Sequence, residues 1–316
     1  MKKEFDPKND IVLTPAYVAD LMSALAGVGP GSTVADNAAG DGALLLSAAR
    51  RGATNLRGVE YEGIMYDRLL RNFAEAGLDD SGILHGDGIA DSLDFSGVTA
   101  LLSNPPYSAD GRGFCFSERV MRQMTSGYAV VLIQENAGSG RGLPHTKNIL
   151  QHSTLLMSIK MADIFKGFAS VQVSIYVFQC GRPHDPDDIV KFIDMSDDGY
   201  VRSGRKSSRG EVKPKDDPEG RYTEVLDRFL GRDLQTHYYD SCCIDDKITL
   251  NGDDWTYDKH RVIDTIPTEE DFKRTVADYM EYKAKSVLTS GGINLDHPYL
   301  AAAILMGINV MDHKNK

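Results

Sequence analysis

TVADNAAGDGALLLSAARRGATNLRGVE, residues 33–60, contains the pattern from which the architecture is read. A short apolar run, Thr33 to Ala35, leads into a small, glycine-bearing loop, Asp36 to Gly42. A helical pattern follows from Ala43 to Arg51, and then a second apolar run, Leu56 to Glu60, ends on a carboxylate. A strand, a tight loop, a helix and a second strand of this length make a crossover unit, which pairs its strands in parallel.

Working outward, the segment before this unit carries Thr14-Pro15 and then Val18, Leu21, Met22 and Leu25 at helical spacing. Proline suits a first helical turn, so a helix is expected ahead of the first strand. After the unit come a helix through Met65, Leu69 and Phe73, then strands at Ile83 to His85, Thr99 to Leu102 and Tyr128 to Ile133. Leu155 to Met161 and Val171 to Phe178 are two β-rich runs with a short connection, which predicts an antiparallel pair closing the sheet. The expectation is an α/β fold, a doubly wound, seven-stranded, mostly parallel sheet with helices on both faces and a smaller C-terminal addition.

Residues 181–188 are rich in Pro, Gly, His and Asp, so the reading divides the chain into a catalytic domain at 1–182 and a C-terminal region at 183–316. In that region Ile189 to Asp194 reads as a strand and Arg202 to Lys215 as a basic loop. Thr268-x-x-Asp271 reads as a capping box before Phe272, Val276, Tyr279 and Met280, and the tail from His297 to Met311 reads as one more helix.

Two constellations carry chemistry. In the first, the Asp36 to Gly42 loop follows strand one and Glu60 ends strand two, 24 residues after Asp36. Glycines there allow a ligand close to the backbone, and a terminal carboxylate suits the diol of a ribose. A dinucleotide fingerprint would need a third glycine at position 45, which is Leu45, so a nucleoside cofactor of another kind is indicated.

In the second, Ser103-Asn104-Pro105-Pro106-Tyr107 follows the apolar run Ala100 to Leu102. The two prolines fix the backbone and donate no hydrogen bond. The Asn104 side-chain oxygen and the Pro105 carbonyl can together accept both protons of an amine, and the Tyr107 ring offers a face to a planar base.

Net charge is −11, an awkward total for a protein that binds a polyanion. The stretch from Arg202 to Lys215 concentrates positive charge locally, and Arg202, Arg205, Lys206 and Arg209 are its candidate phosphate contacts. The four cysteines have no zinc spacing and no disulfide framework, so no metal is expected. With no apolar run long enough to cross a membrane and no secretory signal in the first ten residues, the expected location is the cytoplasm.

In order and spacing, residues 11–180 resemble the N6-adenine DNA methyltransferases in which the Thr-Pro segment precedes the Gly-rich loop and the Asn-Pro-Pro-Tyr tetrad. The arrangement around Thr14 is most similar to the modification subunits of type I restriction systems and their stand-alone relatives. The resemblance implies a class I, Rossmann-like methyltransferase fold, S-adenosylmethionine as cofactor, double-stranded DNA as substrate, and a specificity or restriction partner subunit. It implies that Thr14 and the backbone around Asp36, Ala38, Gly40 and Gly42 hold the methionine part, with Asn104 beside it. Glu60 would hold the ribose and Asp87 the adenine amine of the cofactor. Asn104, Pro105, Pro106 and Tyr107 would receive the target adenine, aided by Phe165 or Phe168. The sequence departs from the family in carrying Asn37 and Ala39 where Pro and Cys are common.

Two rival enzyme readings use the same amine chemistry, on a protein glutamine or on RNA adenine. A binding-only reading makes the chain a non-catalytic partner, but it would predict damage at Asp36, Gly40, Glu60, Asn104 or Tyr107, and all five are intact.

Overall fold

Long apolar runs that alternate with amphipathic segments bury both faces of a mostly parallel sheet, and this sheet organises the molecule. A computed structural model describes residues 12–204, 210–262 and 268–290. The chain divides into two compact units, Met1–Arg261 and Val262–Lys316.

The first unit runs α1 (Ala16–Leu25), β1 (Thr33–Asp36), α2 (Ala43–Arg50), β2 (Asn55–Glu60), α3 (Gly63–Glu75), β3 (Ile83–His85), β4 (Ala100–Ser103), α4 (Phe114–Met121), β5 (Tyr128–Gln134) and α5 (His145–Ile149). It continues through β6 (Ser153–Met161), β7 (Val173–Cys180), β8 (Ile189–Met195), β9 (Tyr200–Arg202), β10 (Val212–Pro214), α6 (Pro218–Leu230), β11 (Cys243–Lys247) and α7 (Tyr257–His260).

The main sheet has nine strands in the order β11-β8-β6-β7-β5-β4-β1-β2-β3, where seven were expected. The two added strands lie at one edge, β8 parallel to β6 and β11 antiparallel to β8. The expected strand at Ile189 is therefore part of the main sheet, which runs on past residue 182. Sequence reading missed β11 because its residues, CIDDK, are only half covered and do not alternate apolar with polar. β6 and β7 form the expected antiparallel pair, Leu155 facing Phe178.

β1 lies between β2 and β4, parallel to both, with Val34 opposite Leu56 on one side and Ala100 on the other. The chain winds outward from β1 in one direction and from β4 in the other. A crevice therefore opens beyond the carboxyl ends of these two strands. The floor beneath is rigid: every residue of β4 is buried, and Val130, Val131, Leu132 and Ile133 of β5 are fully enclosed. Burial of each such side chain contributes about 1.5–3 kcal/mol.

α1 packs on α2 and α6. Between α1 and α2 the buried Ser23 and Ser47 hydroxyls are 2.9 Å apart. β9 and β10 pair as an antiparallel two-stranded sheet. The basic segment thus begins and ends as paired strands, and its tip, with Arg205, Lys206 and Arg209, lies outside the described residues.

In the second unit α8 spans Glu269–Ser290. The capping box forms as expected, the Asp271 N–H donating to Thr268 Oγ1 at 3.1 Å. The tail helix expected at His297 to Met311 lies outside the described residues.

Candidate active site

The crevice is a cavity of about 410 Å³, a volume suited to a nucleoside-sized ligand. The loop after β1 contributes Asp36, Ala38 and Gly40, and the end of β2 contributes Glu60. Asp87 comes from the turn after β3, Asn104 to Tyr107 from the end of β4, and Thr14 from the segment before α1. Gly42 does not line the cavity; in a left-handed conformation (φ 82°) it precedes α2 and turns the loop into the helix.

Asp36 is 1% exposed, and its Oδ1 accepts the Ala38 N–H at 3.1 Å. Burial raises its carboxyl from 3.8 to about 8, and the carboxyls of Glu60 and Asp41 add to the rise. Glu60 accepts the Gly40 N–H at 2.7 Å on one oxygen and the Glu62 N–H at 2.8 Å on the other. Burial raises its pKa too, against the backbone hydrogen bonds of Glu62, Gly40 and Tyr61. Each oxygen keeps a lone pair for a ligand. Asp87 stands exposed at the rim, its Oδ1 accepting the Ile89 N–H at 3.1 Å.

Asn104 is held in one orientation. Its Nδ2 donates to the Val12 carbonyl and to Thr14 Oγ1, both at 3.0 Å. A carbonyl can only accept, so the Val12 contact requires nitrogen on that side and places Oδ1 on the other. Oδ1 accepts the Tyr107 hydroxyl at 2.8 Å, and burial raises the pKa of that phenol. Tyr107 is 7% exposed and is among the residues that line the cavity.

The position where the sequence departs from the pattern it resembles proves structural. Asn37 is buried, and its Nδ2 donates at 2.9 Å to both the Gly88 and the Phe116 carbonyls, tying together the segments after β1, β3 and β4. The backbones are so close that a Cβ on Gly88 would lie 1.8 Å from the Asn37 carbonyl oxygen. Asn37 Oδ1 is buried with no hydrogen-bond partner. Asn37 lines the cavity, as do Tyr61 and Phe116, which were not singled out in the sequence. Tyr61, next to Glu60, was the most accessible to that reading; Phe116 comes from a helix whose facing no motif announces.

Three assignments fall elsewhere. Phe165 is 1% exposed and belongs to the core, and Phe168 is half-buried against Gly210; neither lines the cavity. Arg202 faces inward. Its Nη1 donates to Asp198 Oδ1 at 2.9 Å and its Nε to the Tyr17 hydroxyl at 3.2 Å, within a cluster that includes Tyr200 and Tyr222. An arginine so enclosed is not part of an exposed phosphate-binding cluster.

The acceptors suit a donor-rich, cationic ligand: five carboxyl side chains, Asp36, Asp41, Glu60, Glu62 and Asp87, and the unpartnered Asn37 oxygen meet a backbone that approaches closely. Among the described residues no group of side chains could hold a metal ion, and no helix is long and apolar enough to cross a membrane.

No protein-family model matches the chain. Over 307 residues it is 28% identical to the type II restriction enzyme and methyltransferase RM.BcgI of Heyndrickxia coagulans, covering 86% of this chain and 46% of that protein. The type I restriction enzyme EcoKI M protein superposes with a TM-score of 0.56 at 18% identity, over 70% of this chain and 54% of that one. The methyltransferase subunit of a type I restriction-modification system from Streptococcus thermophilus superposes with a TM-score of 0.57 at 17% identity, over 72% and 54%. The fold is that of the class I methyltransferases, and the chain spans about half the length of the curated relative and of both structures.

Proposed function

We propose that this chain transfers a methyl group from S-adenosylmethionine to the N6 amine of adenine in DNA, acting in the cytoplasm with a specificity or restriction partner subunit. The observation that carries this reading is the fixed amide of Asn104, a residue that lines the same cavity as Asp36, Glu60 and Asp87.

The residues present fit the cofactor. Asp36 and the loop to Gly40 would take its amino-acid end, Glu60 the ribose hydroxyls and Asp87 the adenine amine. Bound there, S-adenosylmethionine supplies an electrophilic methyl group. Asn104 and Pro105 act on the other reactant. The N6 lone pair is delocalised into the adenine ring, so the amine must be turned toward the methyl. Two acceptors, Asn104 Oδ1 and the Pro105 carbonyl, favour the tetrahedral nitrogen that develops as the bond forms. Tyr107 keeps Asn104 Oδ1 in place. An adenine reaches such a cavity only by leaving the duplex, at a cost of a few kcal/mol of unstacking.

The similarity to restriction-modification methyltransferases supports DNA over the other amine substrates, and the likeness to type I modification subunits supports a partner that reads the target site. The test is methyl transfer from labelled cofactor to duplex DNA, RNA and protein, with the modified nucleoside identified by mass. N6-methyladenine from DNA is expected. Methylated cytosine, or label only in RNA or protein, would overturn the reading.

A further inference from the structure

In this acidic chain most described lysines and arginines are neutralised internally, as Arg182 is by Asp188, Lys191 by Asp245 and Lys247 by Asp187. Arg112, Arg141 and Lys166 differ: among the described residues their side chains make no hydrogen bond or ion pair. Of the other cations without partners, Lys147 on α5 follows Arg141 in the same segment, and the rest sit singly on α3, beside β10 and on α7. Arg112, Arg141 and Lys166 lie in the segments that leave the carboxyl ends of β4, β5 and β6, parallel strands whose ends share one edge of the sheet with the cavity.

The segments touch one another. A Cβ on Gly111 would lie 2.5 Å from the His145 ring and 2.9 Å from the Gly142 carbonyl, so the Arg112 and Arg141 loops are in contact. The Glu135 N–H donates to the Gln172 carbonyl at 3.0 Å, joining the end of β5 to the loop that holds Lys166.

Arg112 is also held by construction. Its φ of 60° is left-handed, rare for a residue with a Cβ, and Gly111 and Gly113 on either side are left-handed as well. His145 Nε2 lies 3.1 Å from Asp110, one residue before this turn, while His145 Nδ1 lies 2.5 Å from the buried Glu118. On the other side Gly113 packs against Pro105, where a Cβ would come within 2.8 Å of the proline ring. A loop pinned at one end by His145 and at the other by the Asn-Pro-Pro-Tyr segment carries an unpaired guanidinium beside a segment that lines the cavity. Cations left unneutralised here, in a chain of net charge −11, match a polyanion and nothing within the described chain.

We propose that Arg112, Arg141 and Lys166 form a rim that contacts the phosphates of the DNA duplex around the target nucleotide; this rests on the reading of the chain as a DNA methyltransferase. Backbone contacts fix the register of a duplex without reading its sequence, which is the task at the mouth of a base-receiving cavity.

The test is duplex DNA binding by fluorescence anisotropy at several salt concentrations, using the full chain with cofactor. The triple variant Arg112→Gln, Arg141→Gln, Lys166→Gln should lose roughly tenfold or more in affinity at low salt, and its logarithmic salt slope should fall by about 0.9 per lost contact. A control triple at Arg182, Lys191 and Lys247, cations already paired, should leave the slope unchanged, and cofactor affinity by calorimetry should stay at wild type in both. A rim variant that keeps the wild-type slope while the wild type methylates DNA would overturn the rim and leave the reaction standing. A wild type that binds duplex through these residues without methylating it would uphold the rim and overturn the reaction.

Discussion

The hydroxyl of Tyr107 donates to the side-chain oxygen of Asn104 at 2.8 Å, so the first and last residues of the Asn-Pro-Pro-Tyr segment hold each other. With the amide nitrogen committed to Val12 and Thr14, the Asn104 oxygen has one place to be. Preorganisation of this kind acts on the transition state, because no reorientation is needed as the nitrogen changes shape.

Asn104→Ala should therefore cut single-turnover methylation by about 10²–10³ while cofactor affinity changes little. Tyr107→Phe removes one neutral hydrogen bond, worth about 0.5–1.5 kcal/mol, and should slow turnover by roughly two- to tenfold. Rapid-quench measurements on duplex DNA check both. Wild-type rates in Asn104→Ala would remove the basis for its role.

Glu60 holds the N–H groups of Gly40 and Glu62 and keeps lone pairs toward the cavity. Glu60→Gln retains the shape but loses the charge, and charge-assisted bonds contribute about 1.5–3 kcal/mol each. Calorimetry with S-adenosylmethionine should show affinity reduced tenfold or more, and unchanged affinity would count against Glu60 as a cofactor ligand.

For Asp36 the direction of pH dependence follows from burial. Its carboxyl titrates at 3.8 when unfolded and near 8 when folded, so between these values the folded chain keeps a proton that the unfolded chain has lost. Stability should fall as pH rises through that window. A cationic ligand favours the ionised form, so binding should release a proton, and cofactor affinity should rise with pH and level off near 8. Asp36→Asn should flatten both trends. Calorimetry and urea unfolding between about pH 5 and pH 9 measure them.

Arg202 pairs with the buried Asp198 and touches the Tyr17 hydroxyl three residues beyond Thr14, so its loss should loosen α1 rather than DNA binding. Arg202→Ala leaves the Asp198 carboxylate without its counter-charge, at a cost of about 3–5 kcal/mol in unfolding free energy. The salt slope of DNA binding should stay at wild type. A change in the slope without a change in stability would show the opposite role.

The amino-acid sequence alone determined the order of strands and helices from residue 33 to residue 180 and the segments that meet in the cavity. Such features are written locally: apolar runs, turn glycines, a carboxylate at a strand end and a proline pair each constrain a few neighbouring residues. That is why Asp36, Glu60 and Asn104 could be named before their positions were known, while Asp87 came from the resemblance, and all four line one cavity. Tertiary structure decided what depends on distant partners. Arg202 read as a surface cation because the basic residues beside it in sequence are visible, whereas Tyr17, 185 residues away, encloses it only once β9 reaches α1. Phe165 read as a base-stacking ring and is core, and Phe116, which no motif marks, lines the cavity because α4 turns it there. Asn37, a departure in sequence, joins three strand ends through two carbonyls 51 and 79 residues away. Burial, ion pairing and hydrogen-bond partnership belong to the assembled sheet, since each depends on chain segments that only folding brings within a few ångströms of one another.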